Sequence, residues 1–222
     1  MAPSATETGA SPLDLRSLTI TTAIAYAIHE ALAPRSVGDA LAVTIGAAPA
    51  LIPDLETWAR RNGHRLEVVE RDASGSHLRV TKGRAEPSGR RVAIVVSESG
   101  LEELLSPLGF ALAAALEGAE VSVYVQGPAV RVLRPGWSPS LPWPMRPFTR
   151  FARQGLEAAG HVAAIEKLRQ FQSLDGRIYA CGPSVTHFGV DPNDLGLPDV
   201  AVGGDRAVVG VGGGADVRVG GG

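Results

Sequence analysis

The chain has 222 residues, of which 45% are hydrophobic and 20% charged. That is enough apolar content to bury a core, and it excludes a mainly disordered chain. The 21 Lys and Arg against 23 Asp and Glu leave a net charge of −2, which excludes the global basic field of a nucleic-acid binder. One cysteine, Cys181, excludes an intramolecular disulfide and every Cys-x-x-Cys device.

Residues 1–12 are small and polar and are expected to be disordered. They carry neither a basic nor an apolar leader region, so a cytoplasmic location is expected. Leu13 to Arg16 alternates as a short strand. Thr22 is placed to cap a helix to about Leu32, with Ile24, Ile28, Ala31 and Leu32 on one face. Val37 to Asp39 is a turn, and Ala40 to Ile45 a strand. Pro53-Asp54 opens a second helix, Leu55 to Arg61, stopped by Asn62-Gly63. Leu66 to Glu70 and His77 to Thr81 form a hairpin about Asp72-Ala-Ser-Gly75. This β-α-β-α-β-β order over residues 13–83 predicts a two-layer sandwich.

Residues 84–90 read as a polar linker. Val92 to Val96 is a continuous apolar run, the pattern of a parallel strand buried on both faces. A helix over Leu108 to Glu117, a strand over Val121 to Val125 and a helix over Leu156 to Phe171 follow. Next come a strand over Arg177 to Ala180, ending at Cys181, and a short helix over Ser184 to Phe188. Asp191-Pro192 is placed to cap another short helix, and Val200 to Val202 is a last strand. The alternation predicts a Rossmann- or flavodoxin-like open parallel α/β sheet over residues 91–209. Residues 210–222 are Gly-rich and are expected to be a frayed tail. The longest weakly polar run, Leu104 to Leu116, is far short of the ~20 residues of a membrane span.

Two resemblances sit on this framework. Leu13-Asp-Leu-Arg-Ser-Leu18, His29-Glu-Ala-Leu32, the Val37 to Asp39 turn and Ile52 to His64 resemble the TusA/SirA-like sulfur carriers. That family's Cys-Pro-x-Pro motif, whose cysteine carries persulfide sulfur, falls here on Ile20-Thr21-Thr22-Ala23. The resemblance therefore implies the fold and a docking role without the chemistry, and a buried Ile20. The segments Arg91 to Ser97, Gly118 to Tyr124, Ile178 to Gly189 and Val190 to Leu195 resemble the DsrE/DsrF-like sulfur-relay proteins. In that family a strand of this kind ends in the reactive cysteine, and Cys181 matches it. The resemblance implies a sulfur-carrying thiol at Cys181 with Gly182, Ser184 and His187 as neighbours. It also implies sulfur-donor or acceptor proteins as partners and leaves a sulfurtransferase activity open; a homo-oligomer and no cofactor are expected as well.

Physical chemistry gives Cys181 two readings. A thiol between a strand's carboxyl end and a helix is expected to be partly accessible, with its thiolate favoured by free N–H groups and the helix dipole. Gly182 would let an acceptor approach, Pro183 suits a first helical turn, and His187 is six residues on. The other reading is a buried small hydrophobe, a common fate of free cysteine. The five histidines have no i, i+4 pair, so no metal site is expected. Ser97-Glu-Ser-Gly100 follows a strand but has neither the P-loop Lys nor Gly-x-Gly-x-x-Gly, so no nucleotide site is expected.

Residues 127–153 hold five arginines and no acid, with Trp137, Trp143, Phe148, Phe151 and six prolines. The segment is either an interface for an oligomer or partner, or a cover over the sheet. Three functions compete. They are a sulfur relay on Cys181, a non-catalytic binding or regulatory module derived from sulfur carriers, and a single-cysteine thiol peroxidase, which would lack a resolving cysteine.

Overall fold

A computed structural model describes residues 12–48, 50–85, 88–204 and 215–221. The chain divides into two compact units, Met1–Arg84 and Ala85–Gly222.

The first unit runs β1 (Leu13–Leu15), α1 (Thr21–Leu32), β2 (Ala40–Ile45), α2 (Leu51–Arg61), β3 (Arg65–Asp72) and β4 (Gly75–Thr81). Its sheet order is β1-β2-β4-β3, parallel at β1/β2 and antiparallel elsewhere. Leu41 pairs with Val80 and Val43 with Leu78, so alternation places all four on one buried face. Ile24, Ile28 and Leu32 of α1 and Leu55 and Trp58 of α2 complete the core of this two-layer sandwich. A register shift between Val68 and Glu70 leaves Val69 exposed on β3.

The N-cap of α1 is Ile20, not Thr22, and no side chain caps it. The Thr21 hydroxyl instead donates to Asp54 Oδ2 at 3.2 Å. Ile20 is only half-buried, which departs from the expectation that its apolar side chain would be inside. At the other end, Lys82 Nζ donates to the carbonyls of Leu32, Ala33 and Arg35 at 2.7–2.9 Å, a cation on the helix C-terminus. Helix α2 begins four residues earlier than expected, because Pro53 fits within a first turn, where an N–H has no helical partner.

The second unit runs β5 (Arg91–Val96), α3 (Leu105–Leu116), β6 (Glu120–Val125), α4 (Thr149–Ala158), α5 (Ala164–Ser173), β7 (Arg177–Cys181), α6 (Gly182–His187), β8 (Val200–Gly203) and β9 (Val217–Gly221). The sheet order is β8-β7-β6-β5-β9, and every neighbouring pair is parallel. This is the open parallel α/β sheet read from the alternation. Its core joins Ile94, Val96, Val123 and Ile178 of the strands to Leu108, Ala111, Leu168 and Phe171 of the helices. Ser88 Oγ donates to the Gly118 carbonyl at 2.8 Å, so the end of the polar 84–90 segment is tied to this unit.

Four expectations are corrected here. The helix expected over 156–171 is two helices, α4 and α5. Gly160, at φ +94°, ends the first in a Schellman closure, with Gly160 N on Glu157 O and His161 N on Leu156 O, both at 2.9 Å. Asp191-Pro192 starts no helix; the Asp191 side chain takes the Asn193 N–H at 2.9 Å and makes a turn. Helix α3 starts three residues early, with Pro107 in its first turn. Residues 217–221, read as part of a frayed tail, form strand β9 on β5, because the edge of β5 offers a full row of backbone partners. Asp216 Oδ2 accepts from Arg91 N at 2.7 Å and holds its start. Residues 1–11, expected to be disordered, and 205–214, which include the start of the Gly-rich tail, lie outside the described residues.

His64 supplies a pH dependence in the first unit. Its Nδ1 accepts from Gly83 N at 3.0 Å, which requires that nitrogen to be unprotonated. Burial, then the neighbouring His29 and Lys82, hold its pKa below the ordinary value; burial acts first on His29 too. A folded pKa below the unfolded one means the unfolded chain takes up protons first as pH falls. The stabilisation is complete above about pH 6.5 and declines below it. The Gly83 amide is therefore expected to exchange faster, relative to its intrinsic rate, at pH 5 than at pH 7.5. Equal protection at both would refute the assignment.

Candidate functional site

All five parallel strands of the second unit end on one edge. Cys181 closes β7 there, with β6 on one side and Gly203 of β8 in register on the other. It is also the N-cap of α6, with extended backbone, and Pro183 lies in the first turn. The sequence allows this junction because Ile178, Ala180 and Val185 are all buried while Gly182 and Pro183 need no helical N–H partner there.

Cys181 was expected to be partly accessible. It is 7% exposed. The reason is local: β7 is an interior strand, and the chain turns directly into α6 beyond the thiol. The order of the sheet reverses at β5, two strands from Cys181, so the thiol is not at the topological switch point.

Ser184 and Gly182 stand in the turn after the cysteine. Ser184 Oγ accepts from Gly127 N at 2.9 Å, which ties the first turn of α6 to the end of β6. A methyl group at Gly182 would meet only ordinary contacts, the nearest being the Gly203 carbonyl at 3.5 Å, so this glycine is not required for space. His187 is at the far end of α6, about 9 Å along the axis at 1.5 Å per residue. Its ring packs edge-on against Phe188, centroids 4.8 Å apart, and Arg131 lies over the Phe188 face at 4.7 Å. The structure therefore gathers Gly182 and Ser184 at the cysteine and leaves His187 beyond them.

Sequence reasoning missed a polar pair on this edge. Gln126 Nε2, just past β6, donates to Ser97 Oγ, just past β5, at 3.0 Å. The signal available was position alone, a polar residue directly after each apolar strand. Among the described residues no group of three His, Cys, Asp or Glu is arranged to hold a metal ion. None of their helices is long and apolar enough to cross a membrane.

The 127–153 segment splits in two. Gly127–Leu133 is a 3₁₀ turn that buries Ala129, Val130, Val132 and Leu133 in the core, and Trp137 packs partly against it. Beyond it, Trp143 is 83% exposed, and Met145, Phe148 and Phe151 are exposed as well. Helix α4, which follows, has no buried residue.

Comparison with known proteins adds to this geometry. No curated protein matches the chain. Among the solved structures that match are two that are similar in part. The ychN protein from E. coli has 14% identity and a TM-score of 0.45, covering 60% of this chain and 98% of that one. A protein of unknown function from Methanobacterium thermoautotrophicum has 20% identity and a TM-score of 0.40, covering 58% and 98%. The model of the DsrE/DsrF-like family matches residues 90–211, the stretch that carries β5 to β8 and Cys181. With more than half of its length matched, the chain belongs to the DsrE/DsrF-like family.

Proposed function

We propose that the protein is a sulfur-relay protein that receives and passes on sulfane sulfur at Cys181. The observation that carries this reading is the position of Cys181, the chain's one thiol, at the carboxyl end of β7 in a DsrE/DsrF-like domain, a family linked to sulfur relay. The step is a displacement. The Cys181 thiolate attacks the outer sulfur of a donor persulfide, the donor S–S bond breaks, the donor leaves as a thiolate, and a Cys181 persulfide forms. No electron acceptor is required, because the sulfane sulfur moves without net redox change. Gly182 and Ser184 are the backbone neighbours of that reaction, and His187 would reach it only if α6 moved.

The first unit is proposed as a docking module. It has no cysteine, and Ile20 stands where the resembling TusA/SirA-like carriers hold theirs. The exposed Trp143, Met145, Phe148 and Phe151, flanked by Arg146 and Arg150, are proposed as a surface for a second copy or a relay partner.

The burial of Cys181 favours a second reading, a binding or regulatory module with an inert thiol. Intact-mass analysis after exposure to inorganic polysulfide separates the two. The wild type is expected to gain sulfur atoms that a reductant removes, and Cys181→Ser to gain none while keeping its thermal midpoint. A wild-type chain that stays unmodified, and that iodoacetamide labels no faster than it unfolds, would establish the second reading instead.

A further inference from the structure

Away from Cys181, the second unit contains a cavity of about 200 Å³. Leu101, Leu104, Leu105 and Leu108 line it from the start of α3 and the turn before it, and Leu156 and Val162 from the end of α4 and the connection to α5. Two features stand in this apolar wall. Lys167 of α5 is only 8% exposed, and its Nζ lies 3.3 Å from Nδ1 of His161. Arg153 closes the rim, donating to Ser138 Oγ and the Pro139 carbonyl at 3.2 Å each.

Lys167 is anomalous. Lysine is almost never so fully buried without an ionic partner, since an uncompensated charge is costly to desolvate. Among the described residues it forms no ion pair, and the one hydrogen bond of its Nζ is to a neutral ring nitrogen. Glu157 also lines the cavity, but it is exposed and forms no ion pair with Lys167. Burial pushes the Lys167 ammonium below the usual lysine range. Burial and then Lys167 push His161 down, consistent with two basic groups that lack an anion between them. An ammonium has three N–H donors, and His161 accepts one. The other two have no hydrogen-bond partner among the described residues, and Lys167 lines a cavity whose walls are largely hydrocarbon.

We propose that this cavity is a binding site for a small monocarboxylate, its apolar body against the leucines and its carboxylate on Lys167. The size sets the class. A dry cavity of about 150 Å³ holds benzene, so this one holds a single ring or short alkyl chain together with a carboxylate. The carboxylate supplies the missing counter-ion and takes the free ammonium protons in a charge-assisted pair. This site is independent of the sulfur chemistry assigned to Cys181.

The experiment is calorimetric titration of the full-length protein at neutral pH with benzoate, benzamide and inorganic sulfate. Benzoate is expected to bind saturably. Benzamide, which has the body without the charge, and sulfate, which has the charge without the body, should each bind far more weakly. Lys167→Met keeps the side-chain length and removes the buried charge; it should weaken benzoate by about ten- to a hundredfold, the worth of a charged hydrogen bond. Leu105→Trp fills the space and should abolish binding with the fold intact by circular dichroism. The proposal is overturned by absence of saturable benzoate binding up to about 10 mM. It is equally overturned if benzamide or sulfate matches benzoate, or if Leu105→Trp binds as wild type. Should Lys167→Met fail to fold, the benzoate–benzamide contrast in the wild type and the Leu105→Trp variant still decide.

Discussion

Replacing Gly83 by alanine is expected to unfold the first unit. The Gly83 and Gly63 backbones lie directly against each other, and a methyl group on Gly83 would overlap the Gly63 carbonyl oxygen and carbon. Neither atom belongs to a flexible side chain, so one backbone segment must move. Gly63 is itself fixed, at φ +67°, in the Schellman closure of α2, with Gly63 N on Arg60 O and His64 N on Ala59 O. Moving Gly83 would also break its hydrogen bond to His64. The cost of such a clash plus a lost, partly buried hydrogen bond is about 3 kcal/mol or more. That is a large share of the 5–15 kcal/mol typical of a domain, and a unit this small sits toward its lower end. Amide spectra of the variant should lose dispersion for residues 12–84 and keep it for the second unit. A wild-type spectrum and urea midpoint would show that the contact yields cheaply.

The second large effect is at Phe171. This ring is 1% exposed, and Gly176 lets the chain pass so close that a methyl group there would overlap it. Nothing nearby can expand to fill the space of a lost ring without moving α5, so Phe171→Ala should cost about 3–5 kcal/mol. The effect extends to the candidate site. Helix α5 leads through this contact into β7, whose last residue is Cys181. Loosening it raises the population of openings that expose the thiol. Iodoacetamide labelling of native Cys181 should accelerate while staying faster than global unfolding, because the opening that exposes the thiol is sub-global. A destabilised variant with unchanged labelling would mean that Cys181 opens by a local route that bypasses α5.

Much of this architecture was legible because the strands announce themselves. Val92 to Val96 is an unbroken apolar run that suits a doubly covered parallel strand, Val121 to Val125 is apolar but for Ser122, and Ala40 to Ile45 was delimited to the residue. Helix starts were less legible than helix stops, which carry a conformational signal. Helices α2, α3, α4 and α6 each end with a glycine at positive φ in the same two-bond closure, and α5 does so with Asp175 at φ 61°. Gly160 was such a signal, and a hydrophobic period running across it masked the break between α4 and α5. Proline misled in the opposite sense, since Pro53 and Pro107 both lie inside first turns rather than before them. At the site, a cysteine at a strand end was readable, whereas its burial depends on β8 and α6 together. The Lys167–His161 pair had no readable signal, because both are polar residues whose enclosure comes from α3, more than fifty positions earlier.

The pairing of β9 with β5 has a consequence for synthesis. Arg91 and Asp216, which join the two strands, are 125 positions apart. At about 5–20 residues per second a ribosome needs roughly 6–25 s to deliver the second after the first. During that interval β5 can pair with β6 on one side only, and its other edge is the bare backbone of a valine-rich strand. Such an edge templates association between nascent chains. The chain is thus most vulnerable to co-translational aggregation between the emergence of β6 and that of β9, and a holdase that covers the edge of β5 in that window should raise the yield of folded protein more than one added after release.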